Sequence, residues 1–305
     1  MVERFTHGPL LWVSITEPTN EETHHIMQEL NVPPTLMADL SGPVPKSSAT
    51  VIDRVLKITL DFPIVKRTDI NHPHEIKFLI AKNYLITVQY EDIGAVETFK
   101  REFEIFTDLH KNEAKKMTGA HLFFSLMKEL YENASTKLDY IESRFSDIEN
   151  GIFKGHEKEM VFEISTISKR VIAFRQILTA HHDVLHKAKP CFEDVFKHRD
   201  TTHELDRLHA QYLHVVRRTT ALAETLDELR DTNLALLTTK QNEIMKIFTI
   251  LAFITFPLTL FTSMFGMNTT TTPIIGREGD FWIILGIMII VSITFFVYFK
   301  YKKWI

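Results

Sequence analysis

The chain has 305 residues, 24% of them charged and 45% hydrophobic, which suits one or two folded domains. Its net charge of −4 excludes a general nucleic-acid binder, which would need a basic face. The single Cys191 excludes an intramolecular disulfide and a cysteine-based metal cluster, and a reducing cytoplasm suits it.

The start, from Met1 to Gly8, is too polar to read as a secretory signal. Over the first ~110 residues strand and helix signals alternate. Residues 10–15 and 51–60 carry the β-branched and large apolar content of strands. Lys82-Asn83 separates residues 76–80 from 84–89, a hairpin pattern. Between the first two strands Thr19 can cap a helix, with Glu22 three residues on, and Pro33-Pro34 ends that helix and begins the next. This part is α/β in character.

Long helices follow. Leu138, Ile141, Phe145, Ile148 and Ile152 step by 3 and 4, and Gly151 with Gly155 marks a break. Ile164, Ile167, Val171, Phe174 and Leu178 repeat the steps up to a predicted stop at Lys189-Pro190. A third series runs Leu205, Leu208, Tyr212, Val215, Thr219, Leu222, Leu226 and Leu229, the seam spacing of packed helices. No Pro or Gly occurs between Asp194 and Phe256, so this helix can enter the next segment unbroken, roughly 100 Å long from 201 to 265 at ~1.5 Å per residue. Such a helix needs neighbours, from its own hairpin or from copies of itself.

Residues 247–267 contain no charge, and neither do residues 281–299. A bilayer core about 30 Å thick takes ~20 apolar helical residues to cross, and both runs qualify. The tail carries Lys300, Lys302 and Lys303, whereas the turn between the runs carries Arg277 against Glu278 and Asp280, so both termini are expected on the cytoplasmic side. Trp282 and Trp304 stand near the two expected interfaces. A water-facing body on a C-terminal helical hairpin puts transport ahead of catalysis. No nucleophile elbow, phosphate loop or paired-carboxylate motif appears, and an enzyme is not expected.

Asn242, Met245, Thr249, Ala252, Phe256, Thr259, Ser263 and Gly266 form a second 3–4 stripe in the first run. Small and polar residues at membrane depth either let helices pack closely or face a water-filled path. As a pore wall, Asn242, Thr249, Thr259 and Ser263 offer oxygen ligands, while Met245 and Phe256 form apolar constrictions that close by dewetting.

Gly266-Met267-Asn268 at the end of that run, with 242–247 and Pro257-Leu258-Thr259 upstream, resembles the CorA family of divalent-cation channels. Residues 11–15, 17–19 and 83–88 and the Lys-rich end with Trp304 are also similar to family segments. The resemblance covers the whole chain and is most specific over 240–305. It implies a homopentamer in the cell membrane, with an α/β cytoplasmic funnel, a long stalk helix and two C-terminal transmembrane helices, the first lining the pore. The expected division is 1–112 for the α/β domain, 113–200 for a helical hairpin, 201–243 for the stalk and 244–267 for the first span. An external loop at 268–280, a second span at 281–299 and a basic tail at 300–305 complete it.

The resemblance further implies a selectivity ring of Gly266, Met267 and Asn268, in which Asn268 holds Mg²⁺ through its water shell. Asn242 and Thr259 become polar stations below it, Met245 and Phe256 an apolar gate, and Lys300, Lys302 and Lys303 a basic collar. Mg²⁺ is then both the transported and the regulatory ion, with Co²⁺ or Ni²⁺ also carried and no covalently bound cofactor. The Met-Pro-Glu element of part of the family is absent after Asn268, so a zinc transporter of the same superfamily stays open. A membrane-anchored coiled-coil scaffold without a pore is the alternative from another class. Glu278 and Asp280 can attract cations to the mouth or be surface carboxylates, and Glu204 and Asp206 are candidates for a regulatory metal. Among fifteen histidines, His181, His182 and His186 are the best zinc cluster, but without a third ligand they read as exposed helix residues near a C-terminus.

Overall fold

The computed structural model describes residues 1–37, 40, 42, 47–63, 74–109, 117–196, 199–267, 274–276 and 278–304. The chain divides into two compact units, Met1–Arg230 and Asp231–Ile305.

The first unit holds a six-stranded sheet in the order β1-β2-β6-β5-β4-β3, made of β1 (Val2–His7), β2 (Leu10–Thr16), β3 (Ser48–Ile52), β4 (Val55–Phe62), β5 (His74–Ile80) and β6 (Tyr84–Gln89). Among the described strands only β2 and β6 pair in parallel, with Val13 opposite Ile86. The run 51–60, expected as one strand, is two. The chain reverses at Asp53-Arg54, both at positive φ (49° and 65°), and Ile52 pairs with Val55 across the turn. A two-residue turn of this hand matches the twist of the strands it joins. The polar pair interrupts the apolar run, but with no glycine in it the turn lacks the usual hairpin signature. The predicted 82–83 hairpin is present, with Ile80 opposite Leu85.

Both faces of the sheet are covered, which is why β4, β5 and β6 read as nearly continuous apolar runs. Helices α1 (Asn20–Glu29) and α2 (Pro34–Met37) cover one face, where Ile26, Met27 and Leu36 join Val13, Leu79, Ile86 and Val88. Thr19 caps α1 in a complete capping box with Glu22, as its spacing predicted. The other face meets α3 (Gly94–Leu109), α4 (Gly119–Phe153) and α5 (Glu157–Phe196). There Trp12 touches Phe99, Phe78 touches Phe123, and Phe62 touches Tyr131 and His181.

Helix α5 does not stop at Pro190 but runs through it to Phe196. An interior proline costs ~3 kcal/mol. Burying Phe192 and Phe196 beyond it returns ~1.5–3 kcal/mol each, and Phe192 packs on Phe123 and Phe124. His181 also differs from its expected exposed position. It is fully buried, with fifteen residues of helix still to follow.

The third helix, α6 (Arg199–Phe265), is unbroken for 67 residues and passes through Pro257. Within the first unit its predicted seam is buried from Leu205 to Leu226, and Leu229, its last position, is half-buried. Arg218 fastens it to α4 by donating to Ser135 and Glu142. The second unit contains the rest of α6 and α7 (Asp280–Tyr301), and both are long and apolar enough to cross a membrane.

Candidate ion pathway

Within its own unit, the part of α6 from Asn242 to Phe265 carries one covered row, and most of its other positions are exposed. Ile250 is buried, and Ile254, Pro257, Leu258, Phe261 and Phe265 are half-buried. On α7 the corresponding row is Ile284, Met288, Ser292, Phe295 and Phe299, with Phe299 only 4% exposed. The rings of Phe253 and Phe299 meet at 6.1 Å between the two helices, and Trp304 stacks on Phe299 at 5.7 Å.

The stripe lies elsewhere. Asn242, Met245, Ala252, Phe256, Thr259, Ser263 and Gly266 are all exposed, and Thr249 is half-buried. At ~100° per residue, this stripe centres about 170° around the helix from the covered row. The second span therefore packs on one side of the first and leaves the polar side open. Phe256, at 74%, is among the most exposed large apolar residues of the chain.

The open face carries oriented oxygens. The Thr249 hydroxyl donates to the Met245 carbonyl at 2.8 Å, and the Thr259 hydroxyl donates to the Thr255 carbonyl at 2.9 Å. Each hydroxyl proton is thus committed to the backbone, and lone pairs remain to accept from water or a hydrated cation. The helix ends where Gly266 donates to the Thr262 carbonyl at 2.9 Å. A Cβ on Gly266 would stand 3.0 Å from that same oxygen, so the turn leaves little room for any side chain there. Met267 follows, 59% exposed. Asn268, residues 269–273 and Arg277 lie outside the described residues.

Of the two loop carboxylates, Glu278 is exposed. Asp280 is engaged: its carboxylate accepts from the backbone of Gly276 at 3.1 Å and of Phe281 at 2.7 Å. It organises the entry to α7, a role its place before an apolar run could have signalled. Lys300, Lys302 and Lys303 are exposed at the C-terminal end of α7, where cations favour the helix dipole. Glu204 accepts from Arg207 at 2.9 Å and Asp206 from Lys189 at 3.4 Å, so both regulatory candidates face a cation of their own chain. Among the described residues no three His, Cys, Asp or Glu side chains stand where they could hold one metal ion.

The family profile described as "CorA-like Mg2+ transporter protein" matches residues 8–302. The chain belongs to that family. Membership places it with ion transporters of the membrane and not with enzymes. The "Cobalt/magnesium transport protein CorA" of Methanocaldococcus jannaschii is 22% identical over 299 residues, 97% of this chain and 92% of that one. The protein of the same description from Thermotoga maritima is 23% identical over 304 residues, covering 96% and 83%. The complete structure of the CorA magnesium transporter from Methanocaldococcus jannaschii superposes with a TM-score of 0.84 at 20% identity, covering 99% of this chain and 93% of that one. The CorA fold expected from Gly266-Met267-Asn268 and the long helix is the fold present.

Proposed function

We propose that this chain forms a homopentameric CorA channel that passes Mg²⁺, and also Co²⁺ or Ni²⁺, down its electrochemical gradient. The observation that carries it is the open polar stripe from Asn242 to Gly266, on the side of α6 turned away from α7. Five copies of that face around an axis would make a wall of hydroxyl and amide oxygens interrupted by rings of Met245 and Phe256. Those apolar rings close the path by dewetting. Asn268, at the outer end, holds the ion through its water shell, because Mg²⁺ gives up water reluctantly and prefers oxygen ligands. Both termini lie in the cytoplasm, with Lys300, Lys302 and Lys303 as a collar that repels cations. Cytoplasmic Mg²⁺ favours the closed state, and its loss shifts the population towards the open one.

The test is flux into liposomes carrying the purified full-length protein, with Mg²⁺, Co²⁺, Ni²⁺ and Zn²⁺ offered singly and in competition. Wild-type protein is expected to pass Mg²⁺, and Asn268→Ala to abolish that flux while the oligomer persists. Wild-type flux in the variant defeats the selectivity reading. Zn²⁺ flux that Mg²⁺ does not compete with assigns the chain to zinc instead, and no flux of any ion leaves the scaffold reading.

A further inference from the structure

The second histidine of the cluster singled out in the sequence acquires a partner from another helix. His182 on α5 and His209 on α6 are neighbours within the first unit, with ring centroids 6.4 Å apart and ring planes tilted by 44°. Both rings pack on Tyr212, at 6.3 Å from His182 and 5.7 Å from His209. Tyr212 is itself fixed, since its hydroxyl donates to the Leu178 carbonyl at 3.0 Å. A rigid aromatic base therefore holds two imidazoles at the rim of the α5–α6 seam, where His182 is exposed and His209 half-buried.

We propose that His182 and His209 form a transition-metal site that ties α5 to α6, taking Co²⁺, Ni²⁺ or Zn²⁺ and rejecting Mg²⁺. An imidazole nitrogen binds such an ion at ~2.0–2.1 Å, which puts each ring centroid about 3 Å from the metal. Two such rings stand roughly 5–6 Å apart, so the present separation closes by about 1 Å of side-chain rotation at the surface. His186 is one turn along α5 from His182, and Asp206 is one turn before His209 on α6. Asp206 is held by Lys189 at 3.4 Å. Water completes the coordination, and the two histidines set the ion preference: imidazole suits Co²⁺, Ni²⁺ and Zn²⁺, whereas Mg²⁺ demands oxygen. The site does not depend on whether the chain conducts.

The experiment is calorimetric titration of the full-length protein in detergent with Ni²⁺ and Zn²⁺, against a constant excess of Mg²⁺. One site per chain is expected, weakened by about tenfold or more in His182→Ala and in His209→Ala. It should be unchanged in His203→Ala and His214→Ala, two exposed histidines elsewhere on α6. Metal-free melting of each variant should match the wild type, which separates a lost ligand from a lost fold. Wild-type affinity in the His182→Ala, His209→Ala double variant, or displacement by Mg²⁺, overturns the proposal.

Discussion

The hydroxyl of Tyr131 donates to Nδ1 of His181 at 2.9 Å, and the opposite ring nitrogen of His181 lies 2.6 Å from the Asp61 carbonyl. A carbonyl can only accept, so Nε2 carries the proton, Nδ1 accepts from Tyr131, and the ring is neutral. One side chain thereby links α4, α5 and the end of β4 inside the core.

Acid should undo that link. Burial lowers the His181 pKa to about 4 from its ordinary 6.5, against the smaller opposing effect of the Asp61 carbonyl. Between those values the unfolded chain binds the proton and the folded one does not. The stabilisation is therefore complete above ~6.5 and is lost as pH falls towards ~4, by on the order of 3 kcal/mol. Denaturant unfolding followed from pH 7.5 to 4.5 should show this slope, and His181→Phe should flatten it. Tyr131→Phe leaves Nδ1 buried without its donor and should cost about 1–3 kcal/mol at neutral pH.

Gly119 should tolerate no side chain. It opens α4 against the β5–β6 hairpin, donating to the Lys82 carbonyl at 3.2 Å, and a Cβ there would stand 2.2 Å from the Ala81 oxygen and 2.3 Å from that of Tyr84. Those are backbone atoms of the hairpin, where Ala81 donates to the Tyr84 carbonyl at 3.0 Å, and they cannot swing aside. Gly119→Ala is expected to destabilise by about 1–3 kcal/mol or more, read as a lowered melting temperature, although alanine favours a helix elsewhere.

Pro190→Ala should stabilise. The position is exposed and mid-helix, so alanine restores a backbone donor without disturbing Phe192 or Phe196. A gain of about 1 kcal/mol or more is expected, below the full ~3 kcal/mol because proline also restricts the unfolded chain. A fall in the denaturation midpoint would show that α5 depends on the proline.

The two faces of the first span should respond differently to change. Phe256→Asn puts a polar group on the open face and should raise ion leak with little loss of stability. Phe261→Ala empties a contact on the covered face and should lower stability, by about 3 kcal/mol at most for a half-buried ring, while leaving ion selectivity unchanged. Liposome flux and thermal melting on the same two variants check both halves.

Much of the fold was legible because its signals are periodic. The 3–4 steps from Leu138 to Ile152 and from Leu205 to Leu226 are buried as predicted, since an amphipathic helix must turn that stripe to a neighbour. The Thr19–Glu22 box is local chemistry and appeared where the residues stood. The reversal at Asp53-Arg54 and the passage through Pro190 were not legible. Each is decided by what the flanking residues bury, which lies outside any local window. Asp280 stands between the two cases: an acidic residue before an apolar run signals a helix start, but only the structure shows its carboxylate engaged by the backbone of Gly276 and Phe281.

The amino-acid sequence by itself determined that this chain has two membrane-length helices, a long seam leading into the first, and Gly266-Met267-Asn268 at its end. Charge, apolar length and helical period are properties of the chain, and they survive any arrangement of its parts. Only the tertiary structure decided which side of the first span is covered, that His181 is core, and that His209 stands beside His182. Those outcomes depend on which helix packs on which, and packing is settled by the burial of whole faces against each other, not by the pattern on any one of them.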